Sequence, residues 1–329
     1  MLVRFFRSHQ PVLLLIIPLL AAVLWLPGFL HPATLVIKHQ MPLFEFFTKP
    51  LLAYPWAGAI VAFLLLLIQA FLFNYILYKY EITGKSTYLP VFIYLIFTSF
   101  SPALLSLTPL SFAGIFVLLA LNRVLAIYRN TSALSPCFDA GFLVAIASLF
   151  YFPAVVLLIF LLIAVLVLRP FSGRELLIVL LGFLLPYIYV QVWYFVFVPD
   201  GLEYLWIDKM LFPIINHDFT FNSDIAQPYG ELALFAGLAA VLSIGRGSDA
   251  ANRSVQHRSN ITVLRWLFII SAITLLFAPN LSYTCFYLAL IPILILITNY
   301  FLWARIVWLS EIILWVLVLT IVYNHYSMP

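Results

Sequence analysis

Apolar residues in this chain arrive in long blocks, not in a period-two or period-3.6 stripe, and short polar or proline-rich breaks separate the blocks. A helix apolar all round is solvated by lipid or buried deep, and a run near 20 residues spans a bilayer. Laid end to end, the blocks predict about eleven crossings. The first run, Pro11 to Leu26, follows Arg4 and Arg7 as a signal peptide would. No small-residue cleavage site follows it, so an uncleaved first span bent near Pro18 is expected.

Later spans are expected at about 56–78, 88–101 and 110–128, then as a shorter hairpin, 138–152 and 153–168. The remainder fall at about 176–198, 229–244, 263–277, 284–302 and 306–323. The first arm of the hairpin is short enough to tilt or re-enter instead of crossing. Between the spans lie outer loops at 28–55 and 199–228, and a hydrophilic cytoplasmic loop at 245–262. The chain, 1–329, thus reads as one integral-membrane domain: an all-α polytopic transmembrane helical bundle with no separate soluble unit.

Charge fixes the orientation. Of 16 Lys and Arg, only Lys38, Lys49 and Lys209 fall on one side of this threading; the rest share the other. The side rich in Lys and Arg is cytoplasmic, which puts the N-terminus inside and the C-terminus outside. Composition agrees, with 65% apolar and 9% charged residues and a mean hydropathy of +1.14. The pI near 9.0 comes from short turns that face lipid head groups, so no nucleic-acid partner is expected. Cys137 and Cys285 fall at opposite ends of the threading and in no C-x-x-C pair, which removes disulfide and zinc motifs.

Chemistry is sparse. There is no P-loop, no G-x-G-x-x-G and no H-E-x-x-H, and the six histidines lie in loops or termini. No metal site and no cofactor is expected. On the outer side, Glu45 lies in the aromatic segment Phe44-Glu45-Phe46-Phe47, which suits an interfacial helix. Lys38, His39 and Lys49 are near it in sequence, and the long loop supplies Asp200 and Glu203. One carboxylate base beside cations that hold phosphate is a minimal set for moving a sugar off a lipid carrier; loop solvation and interfacial anchoring explain the same residues. On the inner side, Asn122 and Arg123 suit either a snorkelling Arg or a phosphate clamp. Asp139, opening a short span, suits a helix cap, an ion pair with Arg123 or Arg129, or a functional intramembrane carboxylate. The tryptophans, Trp25 and Trp56 among them, map near span ends, as interface belts do.

The stretch Asn122-Arg123, then Phe138-Asp139-Ala140-Gly141, Leu149-Phe150-Tyr151-Phe152-Pro153 and Arg169-Pro170-Phe171-Ser172-Gly173-Arg174-Glu175, resembles an uncharacterised family of bacterial multi-pass inner-membrane proteins. More loosely, the inner N-terminus, long first outer loop and short hairpins resemble membrane glycosyltransferases that use polyprenyl-phosphate sugars. Those enzymes usually carry an acidic residue, often an acidic pair, soon after the first span, and this chain has Glu45 there. The resemblance implies an envelope enzyme acting on a lipid-linked saccharide, with Glu45 as base, Lys38, His39 and Lys49 on phosphate, and Asp200 and Glu203 on substrate. The alternatives are a non-catalytic subunit packed against other membrane subunits and, third, a transporter. Membrane lipids are the partner common to all three.

Overall fold

The computed structural model describes residues 6–7, 10–32, 41–84, 87–100, 105–129, 133–169, 173–197, 255–274, 287–303 and 307–327. Among the described residues every regular element is helical and no strand occurs. The chain begins with α1 (Leu13–Leu24), which holds Pro18, and α2 (Leu26–Leu30). A short α3 (Pro42–Thr48) leads through a 3-10 turn, Lys49–Leu51, to the long α4 (Pro55–Lys79). Next come α5 (Leu89–Thr98), α6 (Pro109–Ala126), α7 (Leu134–Phe150), α8 (Leu157–Leu168) and α9 (Gly173–Phe197). Beyond residue 254 lie α10 (Val255–Thr274), α11 (Tyr287–Trp303) and α12 (Val307–Ser327). The expected span at 229–244 lies outside the described residues.

Proline starts several of these helices, where its missing N–H costs nothing: α3, α4, α5 and α6 all have Pro in the first two positions. Thr108 and Ser111 close a reciprocal capping box at the start of α6, each hydroxyl accepting from the other's backbone N–H at 3.3 Å. After α4 the chain turns through Glu81 and Gly84, both at positive φ (50° and 67°), where glycine carries no steric cost.

Three helices among the described residues are long and apolar enough to cross a membrane: α4, α6 and α9, with mean hydropathies of 2.5, 1.8 and 2.1. Helices α1, α5, α7, α8 and α11 are apolar but shorter. All ten residues of α5 are buried, so it is the central strut of the bundle. The pre-α1 segment docks beside it: Phe6 stacks on Phe92 with ring centroids 4.0 Å apart. Arg7 donates to the Phe301 carbonyl in the last turn of α11, where carbonyls lack intrahelical partners.

Register follows from paired contacts. Gln69 meets Ser111 and Lys79 meets Asn122, so α4 and α6 run parallel. Arg123 meets Asp139 and Phe112 meets Phe150, so α6 and α7 run antiparallel. Ser148 meets Tyr187, while a Cβ at Gly141 would overlap the Val179 carbonyl and one at Gly182 the Phe138 carbonyl. Helices α7 and α9 therefore run parallel and cross backbone to backbone at these two glycines.

Three expectations shift. Helix α7 starts at Leu134, so Asp139 lies in its second turn and is no cap; the Ala133 N-cap position has no side-chain bond. Trp25 sits in no exposed belt: it is 2% exposed, packed on Phe29 and Phe63 at 6.3 and 5.7 Å. Helix α10 begins at Val255, inside the stretch read as a cytoplasmic loop.

Candidate functional site

Helix α3 is held by rings. Phe44 packs edge-on against Phe112 at 6.0 Å, and Phe47 packs on Phe112 and Phe150 at 5.9 and 5.8 Å. Phe112 and Phe150 stack at 4.9 Å beneath them. Before α3, Met41 packs with Leu149 in a small cluster that takes in Tyr187, Val190 and Tyr194 of α9. After it, the turn Lys49–Leu51 lies against α4. The short helix is thus slung between α9 and α4.

Depth follows from the register. Helix α4 continues 14 residues past Gln69 to Pro55, and α9 continues 10 past Tyr187 to Phe197. At about 1.5 Å per residue they project about 21 Å and about 15 Å beyond the ring layer under α3. Among the described residues, α3 therefore sits on this ring layer beside the N-terminal half of α4 and the C-terminal half of α9. Glu45 is half-buried on α3, Lys49 is exposed just past its end, and Phe46 and Phe47 are exposed beside them. Thr48 is fully buried and donates to the Phe44 carbonyl at 2.7 Å, which closes the last turn. Lys38, His39, Asp200 and Glu203 lie outside the described residues.

The opposite end of the bundle gathers the basic side chains. Lys79 donates to Asn122 Oδ1 at 3.3 Å, and the Tyr80 hydroxyl donates to the Asn122 carbonyl at 2.6 Å. Arg123 pairs with Asp139 at 3.4 Å, and Arg169 with Glu175 at 2.8 Å. The structure thus brings Asn122, Arg123 and Asp139 to one end and Glu45 with Lys49 to the other.

Between the ends lies a buried polar node that the sequence reading missed. Gln69 Oε1 accepts from the hydroxyls of Tyr94 at 2.7 Å and Tyr287 at 2.6 Å, while its Nε2 donates to the Ser111 carbonyl at 2.5 Å. The one local signal for it is Gln69, an amide inside an apolar run. Tyr94 and Tyr287 had no signal to separate them from belt tyrosines, because their partners are distant in sequence. Among the described residues no group of three or more His, Cys, Asp and Glu could hold a metal.

The profile of a family of unknown function, DUF6427, matches residues 33–328. The chain has no match among curated proteins and none among solved structures. The match bears out the expected membership of an uncharacterised family.

Proposed function

The chain belongs to the DUF6427 family, and we propose that this member is a glycosyltransferase-like enzyme of envelope glycan or lipid metabolism that acts on a lipid-linked saccharide. In this reading it crosses the bacterial inner membrane about eleven times, with its N-terminus in the cytoplasm and its C-terminus outside. Helix α3 then lies in the outer half of the bilayer.

The observation that carries the reading is the sling of α3 between α9 and α4. It fixes one half-buried carboxylate, Glu45, on a helix clamped by four phenylalanine rings. A base must be held in place to act, and a ring-clamped helix holds it better than a loop does. Glu45 takes the proton from the acceptor hydroxyl as that oxygen attacks the anomeric carbon. The bond from that carbon to the carrier phosphate breaks, and Lys49, with Lys38 and His39, takes up the charge on the leaving phosphate. Asp200 and Glu203 contact the sugar. The exposed apolar side chains of α4 and α9 on either side of α3 suit a carrier chain that stays in the hydrocarbon.

Transfer of labelled sugar from a polyprenyl phosphate, with purified protein in vesicles, tests this. Glu45→Gln lowers the rate about 10²–10⁴-fold, the range of a general base, while the protein stays folded. Undiminished transfer by a folded Glu45→Gln protein removes Glu45 from the mechanism.

A second reading has an observation of its own. Helix α9 exposes apolar side chains over most of its length, among them Leu177, Leu181, Leu184 and Trp193. Such a face suits a non-catalytic subunit of a membrane assembly. A stoichiometric membrane partner after purification in mild detergent, with no transfer activity, favours this reading over the first.

A further inference from the structure

A stripe runs along α4. Ile60, Leu64, Ile68 and Tyr75 are all exposed, at spacings of four, four and seven, and Lys79 follows four residues later. At 100° per residue these positions stay within one flank of the helix. The stripe is hydrocarbon for most of its length and ends in a cation.

That cation is unusually well held. Lys79 Nζ lies 5.3 Å from the ring centroids of both Tyr75 and Tyr80, and donates to Asn122 Oδ1. Tyr80 fixes Asn122 in turn through the 2.6 Å bond to its carbonyl. Among the described residues Lys79 has no carboxylate partner. Arg123, the next residue on α6, pairs with Asp139 at 3.4 Å but is half exposed, and it brings a guanidinium fork to the same end.

We infer that this end of α4 and α6 binds the phosphate of an anionic phospholipid, with Lys79 as its main contact, Arg123 beside it, and an acyl chain along the α4 stripe. A free phosphate would use the cations and ignore the stripe; the apolar track that ends at the ammonium selects a lipid. The site lies at the opposite end from Glu45 and does not depend on the sugar-transfer reading.

Native mass spectrometry of detergent-purified protein, loaded with mixed phosphatidylglycerol and phosphatidylcholine, tests the site. The wild type retains phosphatidylglycerol in preference. Lys79→Gln holds it about fivefold more weakly, the effect of one surface cation, whereas Lys79→Arg keeps it. Millimolar inorganic phosphate does not displace the lipid. Equal retention of the two lipids by the wild type overturns the proposal without recourse to a variant. So does undiminished preference in a Lys79→Gln, Arg123→Gln double variant. Displacement by inorganic phosphate overturns the lipid and leaves a plain anion site.

Discussion

Arg123 Nε and Asp139 Oδ2 meet at 3.4 Å across antiparallel α6 and α7, with the side chains 53% and 33% exposed. A carboxylate in an apolar helix draws a functional reading by default. Here a neighbouring guanidinium compensates it, and both side chains are partly exposed.

Exposed pairs contribute little, so Asp139→Asn should lower unfolding free energy by no more than about 1 kcal/mol. Denaturant titration of the purified protein in detergent measures it. A loss several times larger would assign Asp139 a role beyond this pair.

The α7–α9 crossing gives a sharper contrast. Gly141→Ala places a methyl group on the Val179 carbonyl, and a shift of the two backbones should cost about 1–3 kcal/mol. Gly173→Ala, at the start of α9 with no atom within 4 Å of the added carbon, should be close to neutral. Comparing the melting temperatures of the two variants with that of the parent decides it, and equal melting would refute the crossing.

Gln69→Leu removes the acceptor shared by Tyr94 and Tyr287 and leaves two fully buried hydroxyls to each other at 3.3 Å. Unpaired buried polar groups cost about 1–3 kcal/mol in soluble proteins, and hydrogen bonds inside membranes average about 0.6 kcal/mol. The expected loss lies between these values. Adding Tyr94→Phe and Tyr287→Phe should restore part of it, because the orphaned groups then disappear. A double-mutant cycle reads the coupling.

Orientation is testable by labelling. In a cysteine-free background (Cys137→Ser, Cys285→Ser), an impermeant thiol reagent applied to intact cells should modify Tyr54→Cys and miss Tyr128→Cys. The two exposed tyrosines lie at opposite ends of the described bundle. The reverse pattern would invert the proposed topology and move Glu45 to the cytoplasmic side.

The long apolar helices α4, α6 and α9 were legible in the chain, since length and hydropathy alone make a span, and proline marks where α4 and α6 begin. The segment Phe44 to Phe47 was legible as a short surface-type helix, because its composition is local. Its seat between α4 and α9 was not: it depends on Phe112 and Phe150, more than sixty residues away, and no local pattern encodes which rings will stack.

The sequence by itself determined the class of this protein, its sidedness as a proposal, and the scarcity of charge that leaves Glu45 conspicuous. Those properties are sums over residues or over short windows. Only the tertiary structure decided that Asp139 is paired, that Gln69 is the hub of a tyrosine node, and that Lys79 ends an apolar stripe with no carboxylate partner among the described residues. Each of these is a meeting of side chains brought by different helices, and packing geometry, not composition, selects such partners.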